Sequence, residues 1–354
     1  MEFLFSNYKP LNTHCSTFAD TFYSLIPKAT RMDIAVGYIT ADSLAELKQT
    51  LAYNSNIETL NLLIGMHRWD KFTKLEYSAA IDLNNYLTEE GRGEVRLVIP
   101  FKFHGKLYCY SDSNGAFAGI IGSDNLSSIV ESSSRTYEAS SLFCEPEYAD
   151  KMRSFIEELS AKAADNLADC EISDFRQNNL LLEDHEHVEK IPHDELADCI
   201  SALTDTCFTI PLVKGGRVPG KSNLNVFFGK GRLAARTGTI QPRHWYEAEL
   251  IVPKAITSLP GYPKKETPGA EFYVITDDGW KFSCKVSGDN SKNFRSEDDL
   301  KILGKWIKGR LENAGVLEVG QPVTTETFQG YGRDNFSITK TGLENLWYLD
   351  FGVK

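Results

Sequence analysis

FHGKLYCYSDSNGAFAGIIGSDNLS, residues 103–127, reads as two apolar runs, KLYCYSD and GAFAGIIGS, joined by the turn signal SDSNG. Four polar residues interrupt it: His104, Lys106, Ser123 and Asn125. Side chains at i and i+2 of a strand share a face, so His104 and Lys106 are expected to point one way and Leu107 the other. Ser123 and Asn125 follow the second run, with Gly122 permitting close backbone approach. A phosphate suits such a set. Lysine offers charge to non-bridging oxygens, serine and asparagine offer neutral hydrogen bonds, and an imidazole can attack phosphorus or move a proton. Fixed donors of this kind stabilise the charge that spreads over equatorial oxygens during phosphoryl transfer. Glu138 opens the next run, EASSLFCE, and is placed to orient the His104 ring.

Upstream, AVGYIT (residues 35–40), LNLLIGM (60–66) and EVRLVIP (94–100) are short apolar runs that predict strands. Between them SLAELKQTLA (43–52) and KLEYSAAIDLNNYL (74–87) carry the three-to-four spacing of helices. The alternation predicts an α/β domain with part of its sheet parallel. EYADKMRSFIEELSAKAADNL predicts the helix that closes it.

Beyond residue 199 the character changes. NVFFG, YEAELIVP, EFYVITDDGWKFSCKV, FSITKTG and LWYLDF predict short strands, and helical pattern is confined to DDLKILGKWIKGRLENAG. This predicts a mostly-β domain of barrel type. The expected boundaries are 1–168 for the α/β domain, 169–198 for a linker and 199–354 for the β domain.

Charge is unevenly spread along these parts. The whole chain is net −11, residues 1–170 are net −8, and residues 171–198 hold nine acids against two bases. Residues 199–354 are net +4, and Lys214 to Arg243 includes seven bases and no acid. A basic stretch in an acidic protein points to a polyanionic partner bound by the β domain. The acidic run reads as a spacer; tethered near a basic cleft, it could also occupy that cleft until a nucleic acid displaced it. The seven cysteines are scattered without a CxxC pair, which fits reduced thiols, no zinc site and a cytoplasmic protein. No apolar run suits a membrane span, and the amino terminus lacks the pattern of a signal peptide.

HGK followed by IGSDNLS resembles the HxK…GSxN signature of the phospholipase D superfamily, and AVGYIT and YEAS fit it as well. The resemblance covers roughly residues 15–160. It implies metal-independent, cofactor-free cleavage of a phosphodiester through a phosphohistidine, with a second histidine protonating the leaving group. The superfamily's aspartate after the lysine is displaced here: position 111 is serine and Asp112 is next to it. That departure, with Glu138, is similar to the nuclease branch. One HxK in a mechanism needing two histidines implies a homodimer joined through the nuclease domain, with the site on its two-fold axis.

The second half is similar to the carboxy-terminal domain of phospholipase-D-type restriction endonucleases, the BfiI and NgoFVII/NgoAVII group. SNLN, RHWYEAELIVP, VITDDGWKF, LGKWIKGRL and WYLDF carry the likeness. It implies a pseudobarrel like the plant B-three domain, reading double-stranded DNA with two arms. Arginine suits guanine, asparagine suits adenine and lysine suits phosphate. The candidate contacts are Lys221, Ser222, Asn223, Asn225, Lys230, Arg232, Arg236 and Arg243 in one arm, and Asn290, Ser291, Lys292, Asn293 and Arg295 in the other. His104, Lys106, Ser123, Asn125 and Glu138 are the candidate catalytic set. The expectation is a type II restriction endonuclease, with an accessory protein of a restriction system as a further conceivable partner. A phosphatidyl hydrolase or transferase, and a DNA-binding regulator with an inactive nuclease domain, are the alternatives.

Overall fold

The computed structural model describes residues 1–11, 13–130, 136–177, 182–183, 185–235, 237–265 and 271–353. The chain divides into two compact units: Met1–Asn178 with Gly231–Pro242, and Asn179–Lys230 with Arg243–Lys354.

The first unit contains β1 (Glu2–Phe5), α1 (Phe18–Leu25), β2 (Arg31–Val36), α2 (Ala41–Tyr53), β3 (Thr59–Ile64), α3 (His67–Asp70), α4 (Lys74–Glu89), β4 (Gly93–Val98), β5 (Lys106–Asp112), β6 (Gly115–Gly122), β7 (Ala139–Phe143), α5 (Pro146–Ala163) and β8 (Ala164–Asn166). The sheet order is β1-β7-β6-β5-β2-β3-β4-β8. β2, β3 and β4 are parallel and the other pairings antiparallel. β2 is almost continuously buried because both faces of the sheet are covered. On one face Ala35, Leu63, Val98, Leu107 and Cys109 join Ala149, Met152, Ile156 and Leu159 of α5 in a core. On the other, the rings of Phe18 and Phe22 of α1 lie 4.8 and 6.0 Å from that of Tyr108. Alternation therefore brings Lys106, two residues before Tyr108, to the α1 face.

Three local expectations are corrected here. β2 ends at Val36, so only Ala35 and Val36 of AVGYIT are strand; Thr40 caps α2, its side chain accepting from Ser43 N–H. The last turn expected of α5 is instead β8, which pairs with β4. His104 precedes β5 rather than lying on it, because the ladder to β2 starts at Lys106.

In chain order come β9 (Glu189–Lys190), α6 (His193–Ser201) and β10 (Leu203–Pro211) of the second unit. The hairpin β11 (Arg232–Leu233) and β12 (Ile240–Gln241) then belongs to the first unit. The second unit continues with β13 (Leu250–Ile251), α7 (Lys254–Thr257), β14 (Glu271–Thr276), β15 (Trp280–Ser287), β16 (Asn293–Ser296), α8 (Lys301–Asn313), α9 (Thr325–Tyr331), β17 (Asn335–Thr341) and β18 (Leu346–Asp350). Its sheet, ordered β10-β17-β18-β14-β15-β16-β13, curls as a half-barrel. RHWYEAELIVP meets α8 in the core: Glu312 accepts from Trp245 Nε1 at 2.8 Å and Tyr246 Oη at 2.9 Å. These bonds satisfy a carboxylate that burial would otherwise make costly.

NVFFG, expected as a strand, is a 3-10 turn at Val226–Phe228. α6 and α9 lie outside the single helix expected in this half. Nor is the acidic run only a spacer. Arg176 N–H bonds Phe72 O at 2.8 Å and its guanidinium bonds Glu76 at 2.7 Å, within the first unit. β9 pairs with β15 in the second unit, where Lys281 reaches Glu195 at 3.0 Å. Asp184 lies outside the described residues.

Candidate active site

The loops after β2, β3 and β4 meet at the carboxy-terminal ends of these parallel strands, the usual place for a ligand in such sheets. His104 stands there, exposed, in the segment between β4 and β5. Lys106 begins β5, is only 5% exposed, and sends Nζ back over that segment. Nζ lies 2.8 Å from the His104 carbonyl oxygen, 3.0 Å from its Nε2 and 3.2 Å from its Nδ1. The pair expected from HxK is therefore formed, although by a lysine folding back and not by two strand neighbours. Burial pushes the Lys106 ammonium below the usual lysine range, with the Glu138 carboxylate acting in the opposite direction.

The loop GSDN is held by side-chain bonds. Gly122 faces Ser140 so closely that an added Cβ would meet Ser140 Oγ at 2.1 Å, so glycine is required. Ser123 Oγ accepts from Ala139 N–H at 2.9 Å and donates to Ala139 O at 3.3 Å. Asp124, 5% exposed, accepts from Ser140 Oγ at 2.5 Å on its carboxylate and from Tyr108 Oη at 2.8 Å on its carbonyl. Burial raises the Asp124 carboxyl above the usual carboxylate range, and the Ser140 hydroxyl opposes this. Asn125 Oδ1 accepts from Tyr38 N–H at 3.1 Å, which turns the amide Nδ2 into the group that can donate elsewhere.

Two expectations change with this geometry. The Ser123 hydroxyl, expected to donate to a phosphate, is aimed at the β7 backbone and braces the loop. Glu138, expected to orient the His104 ring, makes no hydrogen bond to it; its carboxylate acts through space on Lys106. Glu138 and Asn125 instead line a cavity of about 620 Å³ with Ser6, Thr17, Thr40 and Ser128.

Sequence reasoning missed Tyr38, Asp70, Lys102 and Asp124. Tyr38 was hidden by reading AVGYIT as strand throughout; the signal that ends the strand is the helix cap at Thr40 and Ser43. Tyr38 Oη donates to Asp70 Oδ2 at 2.5 Å, and Lys102 Nζ donates to Asp70 Oδ1 at 3.0 Å. His67 is a structural histidine. It is buried, its Nε2 accepts from Ile39 N–H at 3.3 Å, its Nδ1 meets Lys71 O at 3.2 Å, and burial lowers its pKa.

The candidate DNA contacts separate into groups. Asn225 is 1% exposed; its Nδ2 donates to Pro219 O and Val323 O, and its Oδ1 accepts from Val323 N–H. Both of its amide donors are used and the side chain is buried away from any base. Asn223 Oδ1 accepts from Ile251 N–H, Ser291 Oγ from Lys265 N–H, and Arg243 forks onto the buried Glu247 carboxylate. Each of the four commits a polar group to the fold, and Asn225, with both amide donors used, is corrected to a fold-holding role. Asn293 reaches Glu249 at 3.3 Å, and Arg295 Nε is buried without a hydrogen-bond partner among the described residues. Lys221, Lys230 and Asn290 are exposed, and Ser222 and Lys292 half-buried. Arg232 is exposed on β11, in the first unit. Arg236 lies outside the described residues.

Residues 16–174 match the NgoFVII restriction endonuclease N-terminal PLD domain, and residues 198–342 match the NgoFVII C-terminal B3-like DNA-binding domain. The chain belongs to the NgoFVII restriction endonuclease family. The family's two domains occur here in order, a PLD domain followed by a B3-like DNA-binding domain. Among solved structures, the phosphatidylserine synthase of Haemophilus influenzae Rd KW20 is similar, with 14% identity and a TM-score of 0.34. That likeness covers 48% of this chain and 41% of the synthase. No curated protein matches. No helix of the described residues is long and apolar enough to cross a membrane.

Proposed function

We propose that this member of the NgoFVII family is a type II restriction endonuclease that hydrolyses DNA phosphodiesters without a metal, at a site completed by two copies of the chain. The observation that carries the reading is the delivery of Lys106 Nζ to an exposed His104, whose ring lies against that of Tyr38 while the Tyr38 N–H holds the Asn125 amide, in a PLD domain followed by a B3-like DNA-binding domain.

In the first step a His104 ring nitrogen attacks phosphorus. The N–P bond forms, the P–O bond to the leaving oxygen breaks, and that oxygen takes a proton from His104 of the second copy. In the second step water attacks phosphorus on the opposite side. It gives its proton to the second histidine, and the N–P bond breaks. Lys106 and Asn125 Nδ2 stabilise the charge on the equatorial oxygens, and Ser123 and Asp124 hold the loop that presents Asn125. Glu138 balances the buried Lys106 charge.

The B3-like domain, matched over residues 198–342, supplies sequence preference. Lys221, Ser222, Asn223, Lys230, Arg232, Arg236 and Arg243 of one arm, and Asn290, Ser291, Lys292, Asn293 and Arg295 of the other, are the remaining candidate contacts. A base-reading arginine is expected to be worth about 1–3 kcal/mol at one base pair, and a phosphate-binding lysine to act on all sequences alike.

Plasmid cleavage in EDTA with mapped ends tests the reading. Discrete, reproducible cut sites are expected with wild type, and none with His104→Ala, which should still bind specific DNA. Activity lost in EDTA and restored by magnesium, or wild-type cutting by His104→Ala, overturns it. Liposome hydrolysis without DNA cleavage would favour a lipid substrate.

A further inference from the structure

His104 precedes the β5 ladder and its side chain is exposed, so backbone pairing does not fix the ring. Glu138 does not bond it either. What does touch it is the turn after β2. A Cβ added at Gly37 would lie 3.1 Å from His104 Cδ2, so this backbone packs directly on the imidazole. The Tyr38 ring follows at 5.6 Å between centroids and 78°, an edge-on contact of the kind that favours a defined geometry.

Tyr38 is itself held at three points. Its N–H donates to Asn125 Oδ1 at 3.1 Å. Its hydroxyl donates to Asp70 Oδ2 at 2.5 Å. Asp70 in turn accepts from Lys102, two residues before His104, at 3.0 Å. The far side of the Tyr38 ring meets the His67 ring at 5.7 Å and 81°, and His67 is stacked on Phe72 at 4.5 Å. One residue thus connects the loops that follow β2, β3 and β4 with the GSDN loop after β6.

We propose that Tyr38 is the positioning residue of this site, setting the His104 imidazole and the Asn125 amide in register through one clamped ring. The proposal rests on the nuclease reading above and deepens it. Its main chain orients the amide, its ring face or edge limits rotation of the imidazole, and the Asp70–Lys102 pair anchors the phenol. An attacking nitrogen must approach phosphorus in line, and a misplacement near 1 Å is enough to cost about a hundredfold in rate. Tyr38 needs no contact with the substrate to act in this way.

Two variants separate ring from hydroxyl. Tyr38→Phe keeps the edge contact and the N–H, and loses the anchor; Tyr38→Leu loses the ring as well. In the full-length protein, single-turnover cleavage is expected to fall about tenfold in Tyr38→Phe and about a hundredfold in Tyr38→Leu. Specific DNA binding should stay within about twofold, since the lost interaction matters in the reaction and not in the ground state. Histidine-labelled NMR, with the His104 signals identified by their loss in His104→Ala, should show those signals displaced in both variants. Asp70→Asn keeps an acceptor for the phenol and should lie between wild type and Tyr38→Phe. Wild-type rates with unmoved His104 signals overturn the proposal and leave the nuclease reading intact. A wild-type protein that cuts no DNA overturns the nuclease reading; unmoved signals would then sink the positioning role, and displaced ones would support it.

Discussion

At the residue scale, the site depends on a lysine kept against its solvation preference. Burial holds the Lys106 pKa below the ordinary lysine range. Between that lowered value and the ordinary one, the unfolded chain binds a proton that the folded chain does not, so this residue's share of stability rises with pH across the window and is least below it. Lys106→Met is therefore expected to abolish cleavage without lowering the melting temperature at neutral pH; a clear loss of stability would contradict the buried-charge argument. Activity has the opposite slope, since the charged form binds phosphate. Cleavage should decline as pH rises through the lowered pKa, and Lys106→Arg should move that limb upward in whatever activity it retains. An unmoved alkaline limb would assign it to another group. Asn225 makes a different case. Three hydrogen bonds and near-complete burial place it in the fold, so Asn225→Ala should destabilise by about 1–3 kcal/mol. Denaturant melts measure this, and a changed base preference with unchanged stability would restore it to the DNA contacts.

At the element scale, the hairpin β11–β12 belongs to the first unit although its sequence lies within the second half. Asn54 Nδ2 donates to Ile240 O at 2.9 Å, Ile240 N–H returns a bond to Asn54 Oδ1 at 3.3 Å, and Thr239 Oγ1 donates to Tyr23 O. Asn54→Ala should loosen the hairpin and speed trypsin cleavage after Lys230 and Arg232; an unchanged digestion pattern would show that the apolar contacts suffice. The acidic run has two anchored ends, Arg176 in the first unit and β9 in the second. Lys71 and Asp174 also form an ion pair, one residue from the Asp70 that holds Tyr38. Whether its acids gate the site is measurable by replacing Glu183, Asp184 and Glu186 with Gln. Non-specific cleavage at low salt, where screening is weakest, should rise if they do; no rise would end the gate idea.

At the scale of the whole molecule, the proposed mechanism makes assembly part of the chemistry, because each chain carries one HxK. Heterodimers of wild-type and His104→Ala chains are expected to be inactive, because in the proposed mechanism the attacking histidine and the proton donor come from different copies. In a random mixture, activity should fall with the square of the wild-type fraction. A linear fall would mean that each chain is complete by itself.

The sequence by itself determined the α/β class of the first half and the mostly-β class of the second, and it singled out His104, Lys106, Ser123 and Asn125 as candidates. These depend on local period and spacing, which the chain carries within a few residues. The helix caps at Thr40 and Thr73 are local in the same sense. The tertiary structure decided which donors remain for a ligand. Asn225 looks like a base reader in a basic arm until Val323 is brought to it. Tyr38 looks like a strand residue until the loops of three strands converge on its ring. Hydrogen-bonding capacity is a property of the residue, but its remaining capacity depends on partners far away in the chain, and only the fold supplies those.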